Sequence, residues 1–389
     1  MTKRRTPALR FDGFDGEWAY TRLADIAHMY QPQTVASKEL QQSGVPVFGA
    51  NGYIGFYHKA NHVSDQVTIS ARGENSGTPS YVVGPVWITG NSMVVNVDRS
   101  GIDKRFLYGN LSSRSLKSLV TGGAQPQLTR VVLNEFQIPL PSTPQEQRAI
   151  GELFADLDAL IEQRRAKHAS LQKTKTALMQ RMFPQDGADE PELQLGGFSG
   201  AWEPRIMRDC AEYSKGNGYS KKDIADEGTP VIHYGRLYTN YETVITDVDT
   251  FAFPQPGALI SRGDEVLIPA SGETAEDIAI ASALLQSGVL IGGDLNVIRP
   301  RQNIDPVFLA LSLSDGMAKE TLVKRAQGKS VVHLRNSDIQ EVEILFPSLE
   351  EQRAIGEVFT NLDALIAAEH RYIAQLTQAK TALLQRMFV

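Results

Sequence analysis

Two short turns carry the side chains best suited to chemistry. Residues 122–128 read GGAQPQL and residues 328–334 read GKSVVHL. The first offers the carboxamides of Gln125 and Gln127 with Arg130 just beyond, and the second offers Lys329, His333 and Arg335. Asn51, Tyr53, Lys59 and Arg72 precede the first turn. Lys215, Lys221 and Lys222, interleaved with Tyr213 and Tyr219, precede the second, as do Tyr234 and Arg236. Cations clamp phosphates, while carboxamides, cations and hydroxyls read the edges of bases. Taken singly, each residue is better explained as a solvated surface side chain. The two turns stand out because they occupy equivalent places in the two halves of the chain, although turn capping and packing compete with a binding role there.

Catalytic signatures are missing from the sequence. No Asp-Pro-Pro-Tyr or Asn-Pro-Pro-Phe methyltransferase motif occurs, and there is no Gly-x-Gly-x-x-Gly fingerprint. Gly328-Lys329-Ser330 resembles the end of a phosphate loop, but the glycine needed five places earlier is Val323. No His-Glu-x-x-His is present, and the seven histidines show no ligand spacing. The single cysteine, Cys210, excludes an intramolecular disulfide and suits a reducing compartment. No apolar run is long enough for a membrane span, and the basic start MTKRRTPALR lacks the apolar core of a signal peptide. A cytoplasmic protein with no membrane partner is expected.

The charge is uneven. The net formal charge is −6, with 21 Lys+Arg against 17 Asp+Glu in residues 1–189 and 18 against 28 in residues 190–389. The halves therefore carry +4 and −10, so a polyanion site in the second half must be a local basic surface.

The elements that would position these turns repeat. Residues 143–183 return as 348–388, and from Gln147 to Phe183 each residue faces its partner 205 positions on. Thr143 with Glu146, and Ser348 with Glu351, have the spacing of a capping box, in which the hydroxyl meets the N3 amide and the carboxylate reaches back to the cap. Pro144 suits the first helical position. Apolar residues recur at Ile150, Phe154, Leu157, Ile161, Leu171 and Leu178, and at Ile355, Phe359, Leu362, Ile366, Ile373, Leu376 and Leu383. Steps of three, four and seven form one stripe on each helix, and each stripe finds its nearest matching apolar surface on the other. Gly151 and Gly356, where glycine costs roughly 1 kcal/mol of helix stability, fit either a close backbone approach or a tolerated surface position. The polar middles, 164–168 and 369–372, fit a register device, a docking face or a solvated turn.

The segments between the helices repeat as well. LRFDGFDGEW at 9–18 matches LQLGGFSGAW at 193–202, and Val67, Ile69, Ala71 and Gly73 match Val266, Ile268, Ala270 and Gly272. Short β-branched runs (VPVF, QVTIS, PVWIT, SMVVNV; then TPVIHY, EVLIPA, GVLI, LNVI) predict strands. Helices are expected near 106–120 and 306–327. The chain thus divides into a domain at 1–141, a helix at 142–183, a linker at 184–191 (PQDGADEP), a second domain at 192–346 and a helix at 347–389. This is an α+β organisation with pseudo-two-fold repetition. Two alike but unequal heads suit a partner with two unequal half-sites, such as duplex DNA, though other repetitive partners fit equally.

The order of features carries a family resemblance. Each half runs from its turn (122–128, 328–334) through Pro-Leu-Pro or Leu-Phe-Pro to Glu-Gln-Arg-Ala-Ile and Leu-Asp-Ala-Leu-Ile. This whole-chain pattern resembles the specificity subunits of type I restriction-modification enzymes. The resemblance implies two target recognition domains, each reading half of a split DNA sequence. It also implies helices packed as an antiparallel coiled coil that sets the spacer and helps bind two methyltransferase subunits, with motor-nuclease subunits completing the enzyme. The chain itself would then be non-catalytic and hold no cofactor, S-adenosylmethionine, ATP and Mg belonging to its partners. The competing reading is a coiled-coil adaptor for another repetitive ligand.

Overall fold

Each hydroxyl of the repeated helix start sits at the head of a long helix. The computed structural model describes residues 5–123, 125–185 and 187–389. Ala124 in the first turn, Asp186 in the linker and the basic residues 1–4 lie outside the described residues. The helices span Pro144–Met182 and Leu349–Met387, each 39 residues, or about 58 Å at the standard rise. Thr143 Oγ1 accepts from the Glu146 amide at 3.4 Å and Ser348 Oγ from the Glu351 amide at 3.3 Å, satisfying one orphan donor at each start.

The second half of the expected capping box is not formed. Both carboxylates are buried, Glu146 at 1% and Glu351 at 4% exposure, and they face the globular part of their unit instead of the cap. Arg10 donates to both oxygens of Glu146, at 2.7 and 2.8 Å, and Trp18 Nε1 donates to one at 3.3 Å. At Glu351 the place of Arg10 is taken by Gln194, whose amide donates at 3.4 Å. The neighbouring glutamine of each motif does matched work. Gln147 Oε1 accepts from the Asp103 amide at 3.2 Å, and Gln352 Oε1 from the Asp305 amide at 3.0 Å. Those aspartates cap the Lys104–Ser112 and Pro306–Ser314 helices.

Of the two readings open for the helix glycines, a close backbone approach holds at Gly151, where a Cβ would lie 2.8 Å from the Phe106 amide nitrogen. A Cβ on Gly151 would lie 2.5 Å from Asp103 Oδ1, whereas one on Gly356 would lie 3.3 Å from Asp305 Oδ1. The first glycine is therefore sterically required and the second much less so.

Two compact units emerge, Met1–Ala166 with Arg371–Val389, and Lys167–His370. Each contains the first part of one long helix, the last part of the other and one globular domain. In the first unit Phe154 stacks on Phe388 with centroids 5.7 Å apart, Asp158 pairs with Lys380, and the Arg164 guanidinium lies 4.6 Å from the Tyr372 ring centre. In the second, Phe359 meets Phe183 at 6.0 Å, Asp363 pairs with Lys175 at 2.6 Å, and Glu369 with Lys167 at 2.6 Å. Numbers rise along one helix as they fall along the other, so the packing is antiparallel in each unit.

Both cores are organised alike. Trp18 and Phe106 join Phe154 and Phe388 in the first, and Trp202 and Phe308 join Phe359 and Phe183 in the second. Thus the repeated Gly-Phe-x-Gly-x-Trp segment delivers its tryptophan to the seat where a helix start meets a helix end. Of the residues on the expected stripes, Ile150 and Phe154 lie in the first core with Leu157 and Leu383 against it. Ile355 and Phe359 lie in the second, with Leu178 and Leu362 against it. Ile161 is buried, and Leu171, Ile366, Ile373 and Leu376 are half-buried.

The first domain has a four-stranded antiparallel sheet in the order His28–Tyr30, Ser92–Asn96, Gln66–Ser70, Pro79–Val82, and a smaller sheet of Gly52–Tyr57, Val45–Gly49 and Trp87–Ile88. Alternation along one strand serves both faces: Met93 and Val95 enter the main core while Val94 meets Phe48 and Ile88. The second domain has five strands in the order Ala211–Lys215, Leu295–Pro300, Glu265–Pro269, Ser282–Leu284, Val244–Ile245, with a smaller sheet of Phe251–Ala252, Thr229–Ile232 and Leu290–Ile291. The domain ends are closed by antiparallel pairs, Ala19–Arg22 with Gln137–Leu140 and Glu203–Ile206 with Glu343–Phe346. The helices inside the domains are shorter than the sequence pattern suggests. Lys104–Ser112 stops well before residue 120, and the segment after 306 breaks into Pro306–Ser314 and Gly316–Arg325, where Asp315 is extended and Gly316 has φ +58°.

Candidate nucleic-acid interface

The two turns singled out in the sequence are built on the same hydrogen-bond frame. Thr121 bridges Gln127 across the first, and Gln327 bridges His333 across the second. The next residue then anchors each turn to its domain: Leu128 N donates to Ala71 O at 2.9 Å and Leu334 N to Ala270 O at 3.0 Å. A third strand position completes the frame, with Arg72 opposite Gln127 and Ser271 opposite His333. Glycine opens both turns because nothing larger fits. Gly122 has φ +91° and a Cβ there would lie 2.6 Å from Gln125 O; Gly328 has φ +143° and its Cβ would run into Val331 O.

Around the first turn the structure gathers several expected residues. Arg72, Gln125 and Gln127 line one groove together with Gly73 and Glu74. Asn75, which the sequence reading missed, donates to Asn51 Oδ1 at 3.0 Å and so joins the Asn51 hairpin to this groove. Tyr53 lies on that hairpin, 58% exposed, with its ring edge-on to Phe48. Arg130 begins the short Arg130–Asn134 helix and is exposed. Lys59 is placed differently, with its ammonium 5.5 Å from the Trp87 ring centre.

Around the second turn, Lys329, His333 and Arg335 are all exposed. Lys215 belongs with them: it pairs with Asn296, whose buried amide donates to Leu334 O at 2.8 Å, while Asn336 Nδ2 reaches Ser214 O at 2.8 Å. Tyr238, absent from the sequence-derived set, donates to Ser271 O. Its ring meets exposed Tyr234 at 5.9 Å, which brings Tyr234 towards the turn. Burial pushes the Tyr238 phenol well above its ordinary value, so it stays a donor. Asn75 has one sequence signal, its nearness to the matched Gly73; Tyr238 has none, because it meets Gly272 only in the folded chain.

Two expected contacts are otherwise engaged. Tyr219 is 4% exposed and its hydroxyl accepts from the Gln255 amide at 2.8 Å, so it is a core residue. Arg236 is held by Glu242 and Asp249, both at 2.8 Å. Tyr213 likewise turns inward and donates to Met207 O. Lys221 and Lys222 are exposed on a one-turn helix capped by Ser220 and Asp223.

The side chains gathered at the turns can donate and accept hydrogen bonds and pair with anions. Rigid turns hold exposed carboxamides, cations and an imidazole. No cluster of three potential metal ligands occurs among the described residues, and none of the described helices is long and apolar enough to cross a membrane. A separate cleft at the start of the Lys104–Ser112 helix carries Asp65, Asp98, Lys104, Arg105 and Arg148. Its charges are largely matched internally, Lys104 lying 2.6 Å from Asp98.

The fold and its turns define a class of duplicated α+β proteins built on paired long helices, each half carrying one matched polar turn. Residues 15–173 and 200–378 match the type I restriction modification DNA specificity domain, and the chain belongs to that family of specificity subunits. Among curated relatives, the type I restriction enzyme MjaVIII specificity subunit of Methanocaldococcus jannaschii is 23% identical over 80% of this chain and 75% of that protein. A putative type I specificity subunit of Haemophilus influenzae is 23% identical over 91% and 89%. The fold is similar to the crystal structure of the S subunit of a type I system from M. genitalium, with a TM-score of 0.73 at 16% identity over 99% of both chains.

Proposed function

We propose that this chain reads a bipartite sequence in duplex DNA, one half through each domain, and that it does so without catalysing a reaction itself. The supporting observation is the pair of turns with one backbone frame and different side chains, Gln125 and Gln127 in one, Lys329 and His333 in the other. The repeated frame supports two readers in comparable settings, and the unequal side chains support unequal readings. The long helices set the unread spacer and present surfaces for two methyltransferase subunits, to which motor-nuclease subunits add. S-adenosylmethionine, ATP and Mg act on those partners, in the cytoplasm.

Co-expression with the cognate methyltransferase subunit in a host free of adenine methylation, followed by sequencing of modified adenines, tests this reading. Two specified blocks separated by unspecified bases are expected. Binding by the purified complex should weaken steeply with salt, as phosphate-driven association does. Indifference to scrambling either block would overturn the proposal, and salt-independent binding would favour a protein-binding adaptor.

A further inference from the structure

The matched turns allow the reading to be carried to single residues. Gln127 and His333 hold the same place: each faces a bridge partner across its turn and a second partner on a neighbouring strand, with the next residue bonded into the domain. Their backbones are thus fixed from two sides. Their side chains are exposed and have no hydrogen-bond partner among the described residues. With the backbone pinned, only the side-chain rotamers remain to be ordered when a ligand is met.

Resting on the DNA-reading function proposed above, we infer that Gln127 and His333 are the equivalent specificity-determining residues of the two half-sites, the first selecting an adenine and the second a guanine. A carboxamide donates and accepts in the plane that matches adenine N7 and N6. Gln125, which lines the same groove, extends the same chemistry. The second turn instead combines the His333 imidazole N–H with the Lys329 ammonium, donors suited to the N7 and O6 acceptors of guanine. Val331, 52% exposed where the first turn has Gln125, adds an apolar surface for a neighbouring thymine methyl.

The test uses the full chain with its methyltransferase partner and reads methylated sites genome-wide, with thermal melting of each variant as a folding control. Gln127→Ala should relax one adenine position in one block by roughly tenfold or more, leaving the other block and the spacer intact. His333→Ala should do the same to one guanine in the other block. Exchange variants sharpen the assignment: Gln127→His should move the preference from adenine towards guanine, and His333→Gln the reverse. A wild-type bipartite motif that survives unchanged in all four variants would overturn the inference while leaving the DNA-reading function standing. So would variants that melt normally yet lose methylation at every sequence, since that marks a phosphate contact. A wild type without any bipartite motif would remove the function and the inference together.

Discussion

Glu146 and Glu351 show how one repeated residue acquires two electrostatic lives. The first is clamped by Arg10 through two short hydrogen bonds; the second takes a longer bond, at 3.4 Å, from the neutral Gln194 side chain. Burial pushes the Glu351 carboxyl above the ordinary glutamate range, opposed by the Gln194 and Trp202 side chains. Between the unfolded and folded pKa the native state binds more protons, so the stability contributed by protonated Glu351 is complete below the ordinary glutamate pKa and is lost as pH rises through the folded one. Glu351→Gln should therefore raise the melting temperature at neutral pH, with the gain fading in acid; an equal gain at all pH values would argue against this origin. Arg10→Met should instead destabilise by about 3 kcal/mol, because it leaves a buried carboxylate unpaired. The Glu-Gln-Arg-Ala-Ile-Gly motif is plain in the sequence as a repeat. Its reasons are not, because the partner of Glu146 lies 136 residues away and that of Gln147 lies 44 away.

At the scale of elements, the long helices were the most legible part of the sequence, since caps, periodicity and repetition all agree on them. The strands were legible too, each β-branched run appearing as one. What periodicity could not convey is that the apolar stripe changes partner along its length. Its ends enter a domain core through Ile150, Phe154, Ile355 and Phe359. Further along, register is held by reciprocal ion pairs, Asp158 with Lys380 and Asp363 with Lys175, the same two repeat positions with roles exchanged. These side chains are between a fifth and two fifths exposed, which puts each pair at about 1 kcal/mol. Asp158→Lys should cost more than that because it opposes like charges, and adding Lys380→Asp should recover most of the loss. Chemical denaturation of the four-member cycle measures the coupling, and strictly additive effects would show that the pair contributes nothing to register.

For the molecule as a whole, the duplication, the α+β class and the two turns could be read from residue order alone. The pairing geometry of the sheets and the residues joined to each turn could not, because Asn75 and Tyr238 gain their meaning from strands distant in sequence. Both units divide within the long helices, between residues 166 and 167 and between 370 and 371. An insertion of about two turns after Arg165 alone would lengthen one long helix and leave the other unchanged. The spacer proposal is therefore better tested by matched insertions of equal length after Arg165 and after His370. Methylation mapping should then show a longer unread segment between two unchanged blocks, and an unaltered segment would dismiss the helices as a ruler.

Phe388 sits against Trp18, Phe106 and Phe154, and Leu9 N donates to Arg386 O at 2.9 Å. On the ribosome this inverts the usual order of completion. The second unit owns every side chain of its own aromatic seat once residue 359 has emerged. The amino-terminal head, although made first, must wait with an open seat until residue 388 arrives to shut it.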